Sequence, residues 1–451
     1  MSLTLEEKIK NYVHSLGVEV VGLAGPERLD GPPSLDPTYT MKGAKSIVSM
    51  AVPMESEAIH DYMGKKSPVP HHMDQFQQNQ RMFRVSEMVA GYIRSLGYKA
   101  AVVPPNGSYR RHPYVFSTHP SFSHRFGAMA AGIGGQGWSG NVMTEEYGAA
   151  NYLGTVVTDA VFKSDPLRYS PRHFVDTWCR RCRVCDKVCL LGMFIGEEEE
   201  YILMNCELHP RAKRRDINLC SGSCFGLHSV SNDKKWTTWG YQWTKWWMDK
   251  PMEKLSGWKL MPQLMWRAME AGDAGPRYRM IRATAGYLHI EGPLEEYMAK
   301  QPATLSHEEH VKAYRELGEA WGGKGLQDDT LLTCGNCGLV CGPSVEESIK
   351  RYRLLMESGL VVRAEDGSMV KVKNFEEAVK IRRLPKRSTW QKITGALSML
   401  WVFHKWYFGF EPKSFIQGIQ YSRRLKQAVR DQIKGHKLYR EPAVAMQAAD
   451  D

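Results

Sequence analysis

No cysteine lies before position 179 or after position 341, although the chain of 451 residues has ten. Chemistry that needs thiols is therefore confined to that middle stretch. The chain also lacks a run of 18 uncharged apolar residues, so no confident transmembrane helix is read from it. Its first residues, Met1-Ser2-Leu3-Thr4-Leu5-Glu6-Glu7-Lys8, carry neither a signal-peptide apolar region nor a twin-arginine stretch, and the expectation is a cytoplasmic protein. No repeat is found beyond two related cysteine runs. Acid is in deficit, with 49 Asp and Glu against 60 Lys and Arg, a net charge of +11. That balance favours an acidic redox partner or an anionic membrane surface. No motif of interleaved basic and aromatic residues accompanies it, so nucleic acid is not the expected partner.

What is present is Trp178-Cys179-Arg180-Arg181-Cys182-Arg183-Val184-Cys185-Asp186-Lys187-Val188-Cys189, spaced C-x2-C-x2-C-x3-C. Three thiolates two residues apart can wrap one iron–sulfur cubane from a single loop. The fourth is carried off by the next helical turn to a second cluster. Cys334-Gly335-Asn336-Cys337-Gly338-Leu339-Val340-Cys341 answers it with C-x2-C-x3-C. The paired pattern assigns Cys179, Cys182, Cys185 and Cys341 to one [4Fe–4S] cluster. Cys189, Cys334 and Cys337 go to the other, with a fourth ligand from Cys220, Cys224 or Cys206, in that order of preference. Zinc is the rival reading, but zinc ribbons do not use this run. Disulfides need an oxidising compartment and suit the two-residue spacing poorly. The proline that usually follows each run is Leu190 in the first, and in the second it comes one place late as Pro343.

Taken in order, the chain predicts a helix over Leu5–Leu16 stopped by Gly17, then a buried strand Val18–Leu23 and another within Lys42–Pro53. A long helix over 75–96 follows, then a strand Ala100–Val103 running into the turn Pro104-Pro105-Asn106-Gly107. Alternation of helices and strands argues an α/β layer, with ligands at the strand end that carries the turn. Phe126–Gly140 reads as a small-residue helix entering a glycine-rich loop, Gly132, Gly134, Gly135, Gly137 and Gly140, where backbone can approach a bulky ligand. As a nucleotide loop it is weak, since it does not follow a strand. Asn141–Thr144 and Leu153–Asp159 read as a strand pair around Glu145-Glu146-Tyr147-Gly148.

In this succession of strand, helix, Pro-x-Asn-Gly turn, Gly-x-Gly loop, Thr-x-Glu-aromatic-Gly and double cysteine run, the chain resembles the cobalamin-dependent reductive dehalogenases and the related epoxyqueuosine reductases. The likeness covers about residues 1–224 and 330–345. Gly132–Asp159 is closer to the dehalogenases, and Lys42–Val52 to the epoxyqueuosine reductases. The resemblance implies an α+β protein: a nitroreductase-like corrinoid-binding domain over 1–170, then a dicluster ferredoxin-like module over 171–225 and 330–360. It implies base-off cobalamin held largely by backbone, which the five loop glycines suit. No Asp-x-His-x-x-Gly run for the other type of cobalamin site is present. The family's acid tyrosine falls near Asn79 and its active-site arginine at Tyr152, while the turn asparagine is kept as Asn106. The candidate catalytic set is Tyr152, Tyr147 and Asn106, with Tyr109 a further donor and His112, His119 and His124 in the lengthened segment 108–125. The implied activity is reductive bond cleavage of a small organic substrate, with electrons from a redox donor protein. The alternatives are an electron-transfer subunit without corrinoid and a tRNA-modifying enzyme.

Residues 226–329 form an insertion in which Trp236, Trp239, Trp243, Trp246 and Trp247 share one helical face. That face is read as core packing, as a lid over the corrinoid or as an interfacial anchor. Helices are expected near 253–270 and 307–320, the latter from the capping box Ser306–Glu309. After Cys341, the capping box Ser344–Glu347 starts a helix that runs to Ser358 and is stopped by Gly359; in the C-terminal extension 361–451, Val361–Val372 reads as a hairpin. Ile393–Phe410 mixes aromatics with Lys405 and His404, as an interfacial helix or docking surface would. The tail 441–451 is expected to be disordered.

Overall fold

Thr4 and Glu7 start the first helix by bonding each other's backbone amides, at 3.2 and 2.8 Å. Two of its four orphan N–H groups are satisfied in this way. The computed structural model describes residues 3–104, 120–215, 219–220, 230–239, 334–363, 369–381 and 412–435, with isolated positions between 388 and 397. Helix α1 (Leu5–Ser15) buries Ile9 and Val13 and ends before Gly17, whose φ is +74°. Strand β1 (Val20–Ala24) pairs antiparallel with β2 (Ser46–Pro53), Met50 opposite Val21. Helix α2 (Ser56–Met63) leads to α3 (Val69–Ser95), which starts six residues earlier than the sequence suggests because Pro70 is accepted in its first turn. Strand β3 (Ala100–Val102), helix α4 (His124–Ala130), the short strands β4 (Gly135–Gln136) and β5 (Val142–Met143), and β6 (Asn151–Thr158) complete this part.

The sheet runs β1-β2-β6-β3 and every pair is antiparallel. Alternate side chains therefore serve two cores. Val48, Met50, Val52 and Val156 meet α1 and α3 through Ile9, Val13, Met82, Val89 and Ile93. Ile47, Ala51 and Val157 meet α4 through Ala128 and Met129. The rule that places ligands at a parallel strand's end does not apply to this antiparallel sheet. Residues 141–144 do not pair with 153–159: β5 pairs with β4, Val142 opposite Gln136, while both edges of β6 are taken by β2 and β3.

Downstream come the one-turn helices α5 (Arg180–Cys182) and α6 (Val184–Lys187), and then a long hairpin that the periodicity did not announce, β7 (Phe194–Met204) with β8 (Glu207–Arg214). Its two-residue turn, Asn205–Cys206, has φ of +49° and +64°, the handedness that matches strand twist. After α7 (Asn336–Leu339), Ser344 caps α8 (Val345–Glu357) by accepting from the Glu347 amide at 3.1 Å. Glu347's carboxylate does not complete the expected capping box. It turns instead to His60 (2.6 Å) and Arg351 (2.8 Å). The buried Arg351 also donates to Leu339 O and Ser56 Oγ, so one network ties α2, α7 and α8 together. Strands β9 (Leu360–Arg363) and β10 (Met369–Val372) pair as expected and are followed by α9 (Phe375–Ile381). Helix α10 (Pro412–Gly435) packs on β7, where Tyr421 Oη accepts from the Leu203 amide at 3.0 Å.

Trp236 and Trp239 are buried, and Trp239 Nε1 donates to Tyr62 O at 2.7 Å. For these two, core packing replaces the lid and anchor readings. Trp243, Trp246 and Trp247, the helices expected at 253–270 and 307–320, and most of Ile393–Phe410 lie outside the described residues.

Candidate metal centres

The first cysteine run is not one continuous helix. A π-helical turn, Val175–Cys179, passes into α5 and α6, with Arg183 between them at φ +50°. That left-handed residue breaks the helical phase and turns the thiols of Cys179, Cys182 and Cys185 to one side. Together with Cys341 they line a single hollow, walled otherwise by Trp138, Met143, Trp178 and Ser348. Cys341 arrives from a distant part of the chain. Its carbonyl accepts from the amides of Ala149 and Ala150, at 3.1 and 3.2 Å. This docking needs glycine at 148: its φ is +61°, and a Cβ there would stand 1.9 Å from Gly342 O. The glycine of the Thr-x-Glu-aromatic-Gly motif thus serves the cysteine run.

The second group draws on three segments of the chain. The Cys189 thiol is raised to about 12, by burial first and then by Cys337 and Cys220. Cys334 is raised by burial and then by Cys220, Cys189 and Cys337. Cys189, Cys220, Cys334 and Cys337 therefore share one neighbourhood. Cys185 feels both Cys341 and Cys337, so the two groups adjoin. Cys206 is exposed at the tip of the β7–β8 hairpin, and Cys224 lies outside the described residues. All nine described cysteines are free thiols. Among the described residues, no three His, Cys, Asp or Glu side chains converge as they would on a single ion.

Donors face the sulfurs in both groups. Trp138 N–H meets Cys179 Sγ and Met193 N–H meets Cys189 Sγ, each at 3.3 Å, and Asn141 Nδ2 meets Cys337 Sγ at 3.6 Å. Burial pushes the thiols up, Cys179 to about 11, so bare thiolates are disfavoured. A metal at these sulfurs would displace the protons. Two sets of four buried or half-buried thiols, with amide donors facing three of the sulfurs, fit four-iron clusters by donor chemistry. Lys65, which sequence reasoning passed over, is buried beside this second group. Its ammonium lies 5.9 and 5.8 Å from the ring centres of Tyr62 and Trp239 and is pulled down to about 7, chiefly by desolvation.

The candidate catalytic side chains are not gathered in one place. Tyr152 sits in the core shared with α3, and Tyr147 packs at the edge of the core shared with α4. Asn106, Tyr109, His112 and His119 lie outside the described residues. His124 is half-buried at the start of α4 and bonds Thr155 Oγ1 at 2.8 Å, so it is not a loop residue. Tyr152 Oη donates to Asp74 Oδ2 at 3.4 Å. Burial raises Asp74 to about 6, and raises Tyr152 well above the ordinary phenol value. Asp74 was missed because a single aspartate in a helix carries no spacing signal.

The glycine loop is packed against the chain itself. A Cβ at Gly134 would meet Val142 at 2.4 Å, at Gly135 Phe174 at 2.8 Å, at Gly137 Met143 at 2.7 Å, and at Gly132 the Pro166 carbonyl at 2.6 Å. The cavity beside Gly132, Gly134 and Gly135 measures about 10 Å³. That is room for about one water molecule. These four glycines let elements approach one another, and a corrinoid does not fit against them. At Gly140 a Cβ would meet only Arg211 Cδ and Arg214 Nη1, each at 3.4 Å, and Gln136 Nε2 at 3.7 Å.

No family model matches the chain, and no curated protein matches it. Several solved structures align with part of it. A reductive dehalogenase described in terms of B12-dependent dehalogenation aligns at 17% identity and a TM-score of 0.35, over 48% of this chain and 28% of the other. An epoxyqueuosine reductase from Streptococcus thermophilus aligns at 17% and 0.31, over 43% and 55%. An epoxyqueuosine reductase solved with an epoxyqueuosine-modified tRNA-Tyr stem loop aligns at 15% and 0.33, over 78% and 98%. The chain thus spans less than a third of the dehalogenase it matches.

Proposed function

We propose that the chain is an iron–sulfur oxidoreductase acting as a reductase. One [4Fe–4S] cluster is held by Cys179, Cys182, Cys185 and Cys341, and a second by Cys189, Cys220, Cys334 and Cys337. The sorting of eight cysteines into two groups of four carries this reading. When bound, such clusters supply one-electron transfer.

The chain's own residues do the rest. The amides of Trp138 and Met193 and the carboxamide of Asn141 donate to cysteine sulfurs, which favours the thiolate form. The rings of Trp138 and Trp178 and the thioether of Met143 wall the first group and exclude water. Asp74, neutral below about pH 6, and the Tyr152 phenol hold protons in the core. The substrate class is a small organic molecule and the electron source a redox protein. The corrinoid implied by the sequence resemblance does not fit glycines 132–137, which pack against the chain itself. An enzyme resembling the epoxyqueuosine reductases and acting on tRNA is the second reading, favoured by the net charge of +11.

Anaerobic protein should carry about eight irons and about eight sulfides per chain. Cys182→Ser should lose one cluster and keep the other. Zinc without sulfide would end the proposal. Cobalt measured after anaerobic incubation with cobalamin tests the corrinoid, and salt-dependent tRNA retention tests the second reading.

A further inference from the structure

Gly140 has φ +81°, and three groups surround the space its missing side chain leaves. A Cβ there would lie 3.4 Å from Arg214 Nη1, 3.4 Å from Arg211 Cδ and 3.7 Å from Gln136 Nε2. Gln136 is 2% exposed and its Nε2 has no acceptor. Arg211 and Arg214 both turn their Nε toward one oxygen, Glu200 Oε1, at 2.7 and 3.0 Å. Two guanidiniums thus share one carboxylate, and a positive charge is left over. Burial and the neighbouring Arg214 pull Arg211 down to about 10. A buried donor without an acceptor is costly, and a guanidinium fork beside an amide donor is the arrangement that recognises an oxyanion.

We propose that this hollow binds an oxyanion, a phosphate or carboxylate group seated over Gly140 and held by Arg214 Nη1 and Gln136 Nε2, with Arg211 alongside. Glycine is required at 140 because any side chain would occupy the anion's place. Both arginines keep about a fifth of their side-chain surface exposed, so an anion can reach them from solvent. It also adjoins the first cysteine group. Ala212, between the arginines on β8, donates its amide to Trp138 O, and Trp138 in turn donates its own amide to Cys179 Sγ. The proposal does not depend on the reductase reading, because the hollow uses none of the cysteines.

The test is calorimetric titration of the anaerobically purified, cluster-bearing protein with inorganic phosphate, sulfate and acetate, at constant ionic strength against chloride. Saturable binding of at least one is expected. Preference for phosphate and sulfate assigns a phosphoryl-type ligand; preference for acetate assigns a carboxylate. Arg214→Gln should weaken binding by about tenfold or more. Gln136→Glu places a carboxylate where the ligand would sit, so it should abolish binding and raise the melting temperature of the ligand-free protein. The proposal is overturned if the wild type shows no saturable binding, if chloride gives the same response, or if both variants bind as the wild type does.

Discussion

Tyr152 of β6 donates its phenol hydrogen to Asp74 of α3 across 3.4 Å, and neither side chain is exposed. Burial is the main cause of the carboxyl's rise to about 6, with the nearby Glu55 adding to it; bonds from the Glu55 amide, Gln78 and Tyr152 only moderate the effect. The folded value thus lies above the unfolded one, near 3.9. Such a group contributes stability that is complete below the unfolded value and is lost as pH rises through about 6. Asp74→Asn should therefore flatten the stability curve between about pH 4 and pH 7. At neutral pH it should recover at most roughly 3 kcal/mol. His71, His124 and His209, each pulled down to about 4 by burial, run the opposite way and lose their contribution as pH falls. Comparing variant with wild type by denaturant unfolding at several pH values cancels them. Equal slopes in the two proteins would show that Asp74 does not titrate in this window.

Gly148 gives a second test, at the junction of the two halves. The amides of Ala149 and Ala150 hold Cys341 O, and this approach leaves no space for a Cβ at 148. Gly148→Ala should displace Cys341 from the first group. Iron content should fall by about half, with loss of one cluster's signal in low-temperature electron paramagnetic resonance. Full iron retention would mean that Cys341 reaches the first group by another path.

Much of the α+β framework is legible from sequence. The first helix and its stop at the left-handed Gly17, the stop at Gly97 and the buried strands β2 and β6 each follow from a local rule. The hairpin β7–β8 is not legible, and its charges explain why. Four consecutive glutamates, Glu197 to Glu200, erase the apolar alternation that announces a strand. Each is satisfied by a cation remote in sequence, Arg183, Lys213, Arg172, and Arg211 with Arg214. In the candidate site the cysteine spacing is informative because adjacent ligands come from one loop. The glycine loop misleads because a missing Cβ admits the protein's own side chains as readily as a ligand. Gly134 and Gly135 are filled by Val142 and Phe174.

The surface expectation moves with the structure. Trp236 and Trp239 are core residues, but α10 exposes Ile416, Ile419 and Ile433. Arg423, Lys426 and Arg430 are exposed between them, along the stripe that runs from Ile419 to Ile433. No helix among the described residues is long and apolar enough to cross a membrane. Isoleucines flanking cations suit peripheral contact with an anionic lipid surface. Vesicles of mixed phosphatidylserine and phosphatidylcholine should retain the protein at low salt, and pure phosphatidylcholine should not. Ile419→Glu together with Ile433→Glu should release it. Retention of that double variant at wild-type strength would place the contact elsewhere.

The fourth ligand of the second group is the choice that sequence left open among Cys206, Cys220 and Cys224. Electrostatics now separates two of them. Cys220 contributes to the raised thiols of Cys189, Cys334 and Cys337, while Cys206 is exposed at a hairpin tip with a left-handed backbone. A half-buried thiol coupled to three others can share a metal with them, whereas Cys206 stands exposed on a turn. Cys220→Ser should therefore remove the second cluster and leave the first, costing about half of the iron and sulfide. Cys206→Ser should keep both clusters and lose only a reactive surface thiol, seen as one fewer site alkylated by iodoacetamide under native anaerobic conditions. Should Cys220→Ser keep its full iron while Cys224→Ser loses half, the fourth ligand is Cys224.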